Sequence, residues 1–386
     1  MNHRKELRML QDKDFDEITQ AIVNIYQDME MELLIDVAQR FNSYKTIGGS
    51  LAWYIDMLKS MNVLDEAAVK IIAKYSKRSE AYIRKALKDA QLGNFNSFDI
   101  DEAFQQGFTA VTYEQLIKNP FIQDIFDNTY KEVNDSLRLI QTKALQGHKQ
   151  AYIDVLNKAY IDVASGAYSY DQSIRDGIKK MAKKGITGVT YKRKDGTLVN
   201  YSMEAAVRRE TLSATHKIAN ETTMQSIKAM GANYVDVSSH LGARVSLDNP
   251  IANHAGWQGK QYQLEGSSDK YPNFIKKTGY GDIQGFGGVN CRHRMFAFFP
   301  GISKPYMMQY DEAENREYYE NTQKLRKLER QMRSLKKQRN CLNEIEDEDS
   351  VAKLNKKIKE KSKAIDEFCK HTGLIRDHTR EVIGDV

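Results

Sequence analysis

The stretch GGVNCRHRMFAFFPG, residues 287–301, sets Cys291, Arg292, His293 and Arg294 between a glycine turn and an apolar run. Met295, Phe296, Phe298 and Phe299, closed by Pro300 and Gly301, predict a short buried strand. A corner entering such a strand has few regular backbone partners, and Arg and His side chains can replace them. On that reading Arg292, Arg294 and the histidines bond loop carbonyls, and Cys291 is a small buried residue. Two chemical readings compete with it. Cys291 can act as a nucleophile if His240 or His254 is its base and Asn290 the orienting group. His240, His254, Cys291 and His293 are also acceptable ligand types for a structural zinc. Against zinc, Cys-x-His is tighter than the usual ligand spacing, and thirteen residues separate the two upstream histidines.

Working outward, the segment from Gly231 to Gly301 holds 11 of the 23 glycines. It bends often and offers positions for positive φ. SSHLGARVS (238–246) and NHAGWQGKQY (253–262) bring His240, Arg244, His254 and Trp257 into it. Upstream, a helix predicted over Ser202–Met230 carries Arg209, Ser213, His216 and Asn220 at steps of four, three and four. These residues share one face. NYVDVSS (233–239) reads as a strand, and VTYKRKDGTLVNY (189–201) as a hairpin turning at Asp195-Gly196. Residues 186–310 therefore read as a compact glycine-rich α+β module.

The flanks read as helix. Phe15, Ile18, Ile22, Ile25, Met29, Leu33 and Val37 step by three and four, with Asp12 or Asp14 as cap. A helical region follows over Leu51–Leu92. Asn119 and Pro120 open the next helix, with Ile122, Phe126, Val133, Leu137 and Ile140 as its stripe. Two more helices are predicted over 150–166 and 171–184. Residues 1–185 thus form a helical N-terminal region. Beyond 311, Leu325, Leu328, Met332, Leu335 and Leu342 step in a coiled-coil-like pattern. The polar break EIEDEDS (344–350) and a second stripe from Val351 to Phe368 predict an antiparallel helical hairpin over 311–386. The fold class expected is α+β in these three parts.

The chain has 386 residues, 28% of them charged, and a net charge of +6. That composition supports folded cores and excludes a globally disordered chain. Three cysteines give no disulfide framework, and no apolar run is long enough to span a bilayer. The opening MNHRKELRML lacks an apolar signal-peptide core, so synthesis in the cytoplasm is expected. Between Asp171 and Met230, 12 basic residues face 6 acidic ones, an excess equal to the whole net charge. Lys179, Lys180, Lys183, Lys184, Lys192, Arg193 and Lys194 cluster there. They form either a solvated face or a contact for DNA phosphates, which requires charge and no sequence code. No phosphate-binding loop, dinucleotide fingerprint or magnesium carboxylate cluster is present.

SSHLGARVS, HAGWQGKQY and GGVNCRHRMFAFFPGIS together resemble the signature of the phage minor capsid protein 2 family, which is similar to MuF-like head morphogenesis proteins. The helix with Arg209 and Asn220, the strand GANYVDVSSH, the charged hairpin and the ending FCKHTGLIRDHTREV fit that family in order. The resemblance implies a minor head protein of a tailed bacteriophage, inside the virion near the portal, aiding assembly, DNA packaging or ejection. It implies the portal protein, other head proteins or further copies, and packaged double-stranded DNA as partners, with no catalytic residue to transfer. The leading expectation is a non-enzymatic structural protein without a required cofactor. The alternative is an ejected nuclease or thiol-dependent enzyme using His240, His254 and Cys291.

Overall fold

The long apolar stripes become long helices. A computed structural model of the chain describes residues 12–43, 51–93, 118–192, 196–304 and 310–384. Helix α1 is Asp12–Ser43, α2 Leu51–Lys59, α3 Met61–Gly93, α4 Pro120–Ala164 and α5 Tyr170–Lys184. Strands β1 (Thr187–Lys192) and β2 (Leu198–Ser202) lead into α6, Met203–Ala229. Strand β3 (Tyr234–Val237), the single turn α7 (His254–Trp257), β4 (Gln261–Gln263), α8 (Phe274–Thr278) and β5 (Met295–Ala297) follow. Helices α9 (Glu312–Asn343) and α10 (Glu348–Thr372) and a 3-10 turn, His378–Glu381, complete the order. The protein is mostly helical with small antiparallel sheets, an α+β chain.

Local chemistry explains the boundaries. Asn119 caps α4 by accepting the Phe121 N–H at 2.9 Å, with Pro120 in the first turn where its missing donor costs nothing. Ser169 caps α5 by accepting from Gln172 N–H. The sequence predicts a break between the helix opening at 119 and one starting near 150, but α4 runs through unbroken. Gly147, inside that span, is there for closeness. A Cβ on it would meet Ile186 Cγ2 at 2.8 Å. The helical region after Leu51 divides at Ser60.

The chain forms two compact units, neither continuous in sequence. The first takes its described residues from segments 1–19, 82–135 and 209–323. Its sheet has the order β4-β3-β5, antiparallel throughout. Val235 of the central strand pairs with Tyr262 on one side and Ala297 on the other. Met224 and Ile227 of α6 join Val235, Val237, Trp257, Phe274, Phe286, Met295 and Phe299 in one buried cluster. Phe296 and Phe298 are buried as well, so the whole apolar run ahead of Pro300 is interior.

The second unit takes segments 20–81, 136–208 and 324–386. Ile22, Ile25, Met29, Leu33 and Val37 of α1 are buried there, and Phe41 stacks on Tyr152 at 5.0 Å. β1 and β2 pair antiparallel as the hairpin pattern predicts. Asp195 of its turn lies outside the described residues, while Gly196 has φ 86°. Leu325 and Met332 of α9 share a cluster with Ile365 and Cys369 of α10. None of the three cysteines is in a disulfide. Among the described residues no helix is long and apolar enough to cross a membrane.

Candidate functional site

Three sequence segments of the first unit converge on the corner at Cys291. Loop 238–246 leaves β3, the turn α7 carries His254 and Trp257, and residues 290–294 lead into β5. The approach to the corner depends on unusual backbone. Asn290 adopts φ 57°, and Gly287 φ 74°. Asn is among the few residues with a side chain that tolerates this region. Gly285 is required by closeness, since a Cβ there would lie 2.2 Å from the Gly279 carbonyl oxygen. That tight passage fixes the carbonyl of Gln284, which faces inward.

His254, Cys291 and His293 meet at the centre. One ligand-type atom from each lies within 4.8 Å of the others. All three are buried, at 2%, 1% and 1% exposure. His254 Nε2 is 2.9 Å from the Gln284 carbonyl oxygen. A carbonyl only accepts, so Nε2 carries the proton and Nδ1 the lone pair. His293 Nε2 is 3.0 Å from Gln258 Oε1. That oxygen also accepts the backbone N–H of His240 at 3.0 Å. A backbone N–H only donates, so the amide cannot be flipped. His293 therefore also carries its proton on Nε2. Its Nδ1 faces Cys291 Sγ at 3.6 Å. Trp257 lies against both rings, 4.5 Å from His254 and 4.7 Å from His293. Its own Nε1–H donates to the Ile251 carbonyl.

The remaining candidates surround this centre or leave it. His240 stacks on His293 at 4.6 Å, with Nδ1 on the Leu241 carbonyl. It stands beside the three-residue group and outside it. Arg244 donates to the carbonyls of Val289 and Gln284. Asn220 of α6 donates to the His293 carbonyl at 3.1 Å and accepts the Met295 N–H at 3.0 Å. Arg292 turns away to pair with Asp16 at 2.9 Å. Arg294 lies over the Phe15 and Phe296 rings. Asn290 is exposed; its contribution is its backbone. Arg209 pairs with its neighbour Glu210. Sequence reasoning missed Gln258 and Gln284. Gln258 lies in a polar loop where glutamines ordinarily face water, and only the tertiary packing buries its side chain as an acceptor. Gln284 is exposed and contributes its backbone carbonyl, which no side-chain pattern signals.

His216 is fully enclosed and stacked on Phe15 at 4.5 Å. Burial holds its pKa well below the ordinary imidazole range, and the Arg294 and Arg292 cations push it the same way. The folded value thus lies below the unfolded one. Above about pH 6.5 both states are neutral and the group is silent. Below it the unfolded chain takes up a proton that the native chain refuses, so stability falls as pH falls, at a slope approaching about 1.4 kcal/mol per pH unit. Urea denaturation at pH 7.5 and 5 is expected to show a smaller acid loss in His216→Phe than in the wild type.

The geometry unites motifs that the chain spreads over residues 220–295, and the same span lies within a family match. The family model for phage minor capsid protein 2 matches residues 10–370. The chain belongs to that family. It is similar to a structural protein of Lactococcus phage LL-H, 26% identical over 323 residues, covering 80% of this chain and 82% of that one. A structural protein of Lactococcus phage mv4 is 30% identical over 118 residues, 30% of this chain and 95% of that one. No solved structure matches the chain.

The basic segment of this minor capsid family member lies in the second unit. Helix α5 buries Ser173, Ile174, Gly177, Ile178, Met181 and Ala182. Lys179, Lys180, Lys183 and Lys184 take its opposite, exposed face, and Lys192 is exposed on β1. Lys184 is 3.4 Å from Asp154. Arg193 and Lys194 lie outside the described residues.

Proposed function

We propose that this protein is a structural component of a phage virion, held inside the head beside the portal, where it aids assembly, DNA packaging or ejection. The observation that carries this reading is membership of the minor capsid family over nearly the whole chain. The relatives named as structural proteins support the same role. Within it, residues 1–185 serve association with the portal protein or with further copies. Residues 186–310 act as a MuF-like module, and 311–386 as a helical hairpin. The burial of Cys291 supports a non-enzymatic role, because a catalytic thiol must reach its substrate. The test is mass spectrometry of purified virions with imaging of the portal vertex. The protein is expected in finished particles at low copy beside the portal. Its absence from them would assign it to an assembly factor that departs.

The exposed lysines of α5 face packaged DNA in this proposal. They form a charged row with no side chain reading bases, which suits contact with any sequence. Replacing Lys179, Lys180 and Lys183 by alanine is expected to weaken binding to a random duplex. The slope of log K against log salt is expected to flatten by up to about 0.9 for each phosphate that is no longer neutralised. An unchanged slope would leave these lysines as a solvated face.

A further inference from the structure

We infer that His254, Cys291 and His293 form a site for one zinc-like transition-metal ion. The inference stands on the corner's geometry and is independent of where the protein sits in a particle. Three observations carry it. The ligand atoms of three residues converge within 4.8 Å in the interior. Both imidazoles have their outer Nε2–H committed to an oxygen that can only accept, Gln284 O for His254 and Gln258 Oε1 for His293. That commitment leaves the lone pair on each Nδ1 and holds the ring in place, which is how metal-binding histidines are oriented by their outer partners. Finally, Cys291 Sγ and His293 Nδ1 are 3.6 Å apart. A tetrahedral zinc with bonds of about 2.3 Å to sulfur and about 2.05 Å to nitrogen sets these two atoms about 3.6 Å apart.

The chemistry of the set selects the ion. One thiolate and two imidazoles suit zinc, cobalt or copper, while magnesium and calcium require oxygen ligands that the group lacks. The same geometry imposes one adjustment. An edge between two zinc-bound nitrogens is about 3.3 Å, so His254 moves inward by up to about 1.5 Å where the separation approaches the 4.8 Å bound. Loading deprotonates Cys291: the thiol proton leaves to solvent and the sulfur lone pair forms the bond to the ion. A water molecule takes the fourth position, or His240 does after its ring turns. The ion would tie the turn α7 to the strand entry at 291–293, two loop segments with little regular backbone pairing of their own.

The test uses the full chain purified without a histidine tag. Elemental analysis is expected to give about one zinc per chain. Cobalt(II) added to metal-free protein is expected to give tetrahedral d–d bands and a thiolate-to-cobalt charge-transfer band. Cys291→Ser should abolish the charge-transfer band, with circular dichroism confirming the fold. Gln258→Leu keeps all three ligands and should weaken cobalt affinity about 10–100-fold. It carries the test if Cys291→Ser does not fold. His240→Phe should leave the charge-transfer band in place. Folded wild-type protein without zinc and without a charge-transfer band at saturating cobalt overturns the site. So does a band that survives in Cys291→Ser, which marks an adventitious ion elsewhere. With that result the 3.6 Å approach of Cys291 to His293 is a thiol hydrogen bond and nothing more.

Discussion

Replacing Asn220 by alanine is expected to destabilise the protein by about 2–6 kcal/mol, because it leaves two buried groups unsatisfied and each costs about 1–3 kcal/mol. Asn220 is 1% exposed, and its two amide atoms hold both sides of the Arg294 backbone, the His293 carbonyl and the Met295 N–H. Alanine removes both partners and leaves a buried acceptor and a buried donor. The Met295 N–H matters further because Met295 pairs with Val237 on the central strand, so losing the clamp loosens the sheet edge. Urea denaturation should show a lower midpoint at an unchanged slope. A shift below about 1 kcal/mol would mean that the corner obtains its order elsewhere.

Glu30→Ala is expected to be comparably severe. Glu30 is wholly buried in the second unit. It accepts the Ile186 N–H at 2.8 Å and pairs with Lys337. Gly185 has no side chain to obstruct this approach, since a Cβ there would lie 2.6 Å from Glu30 Oε1. Removing the carboxylate leaves the Lys337 ammonium, itself only 12% exposed, without its counter-charge. Breaking one side of such a pair costs about 3–5 kcal/mol. The double replacement Glu30→Leu with Lys337→Met is expected to recover most of that loss, because it removes both charges together. Thermal unfolding of the two variants checks both statements. Equal losses in the single and double variants would show that the pair's charge is not what matters.

The pattern of apolar residues made much of the fold legible. A stripe such as Ile22, Ile25, Met29, Leu33 and Val37 is buried because helical geometry puts these positions on one side. The run Met295–Phe299 read as a short buried strand, and all five residues are interior although only Met295–Ala297 form β5. Caps at Asn119 and the hairpin around Gly196 are local chemistry and were equally readable. Glu30 was not. It stands next to Met29 in the stripe and reads as a solvent-facing position, because nothing within a few residues announces Lys337 or the Ile186 N–H. Nor was the continuity of α4. Gly147 looks like a weak point in isolation, and only the nearness of Ile186 explains why glycine belongs inside an intact helix.

The corner divides in the same way. By itself the sequence determined that residues 287–301 turn sharply, carry a cysteine and a histidine two apart, and end in a buried strand. It also gathered His240, Arg244, His254 and Trp257 into the same glycine-rich segment. Only the tertiary structure decided which of them meet. It brought His254, Cys291 and His293 together, sent Arg292 to Asp16, and set His240 beside the group. It also recruited Gln258 and Gln284 as the acceptors that fix both histidine tautomers. The reason is physical. Helix and strand patterns arise from neighbours a few residues away. Hydrogen-bond partners inside a loop-built core are chosen by whatever acceptor the packing leaves within about 3 Å, at any distance along the chain.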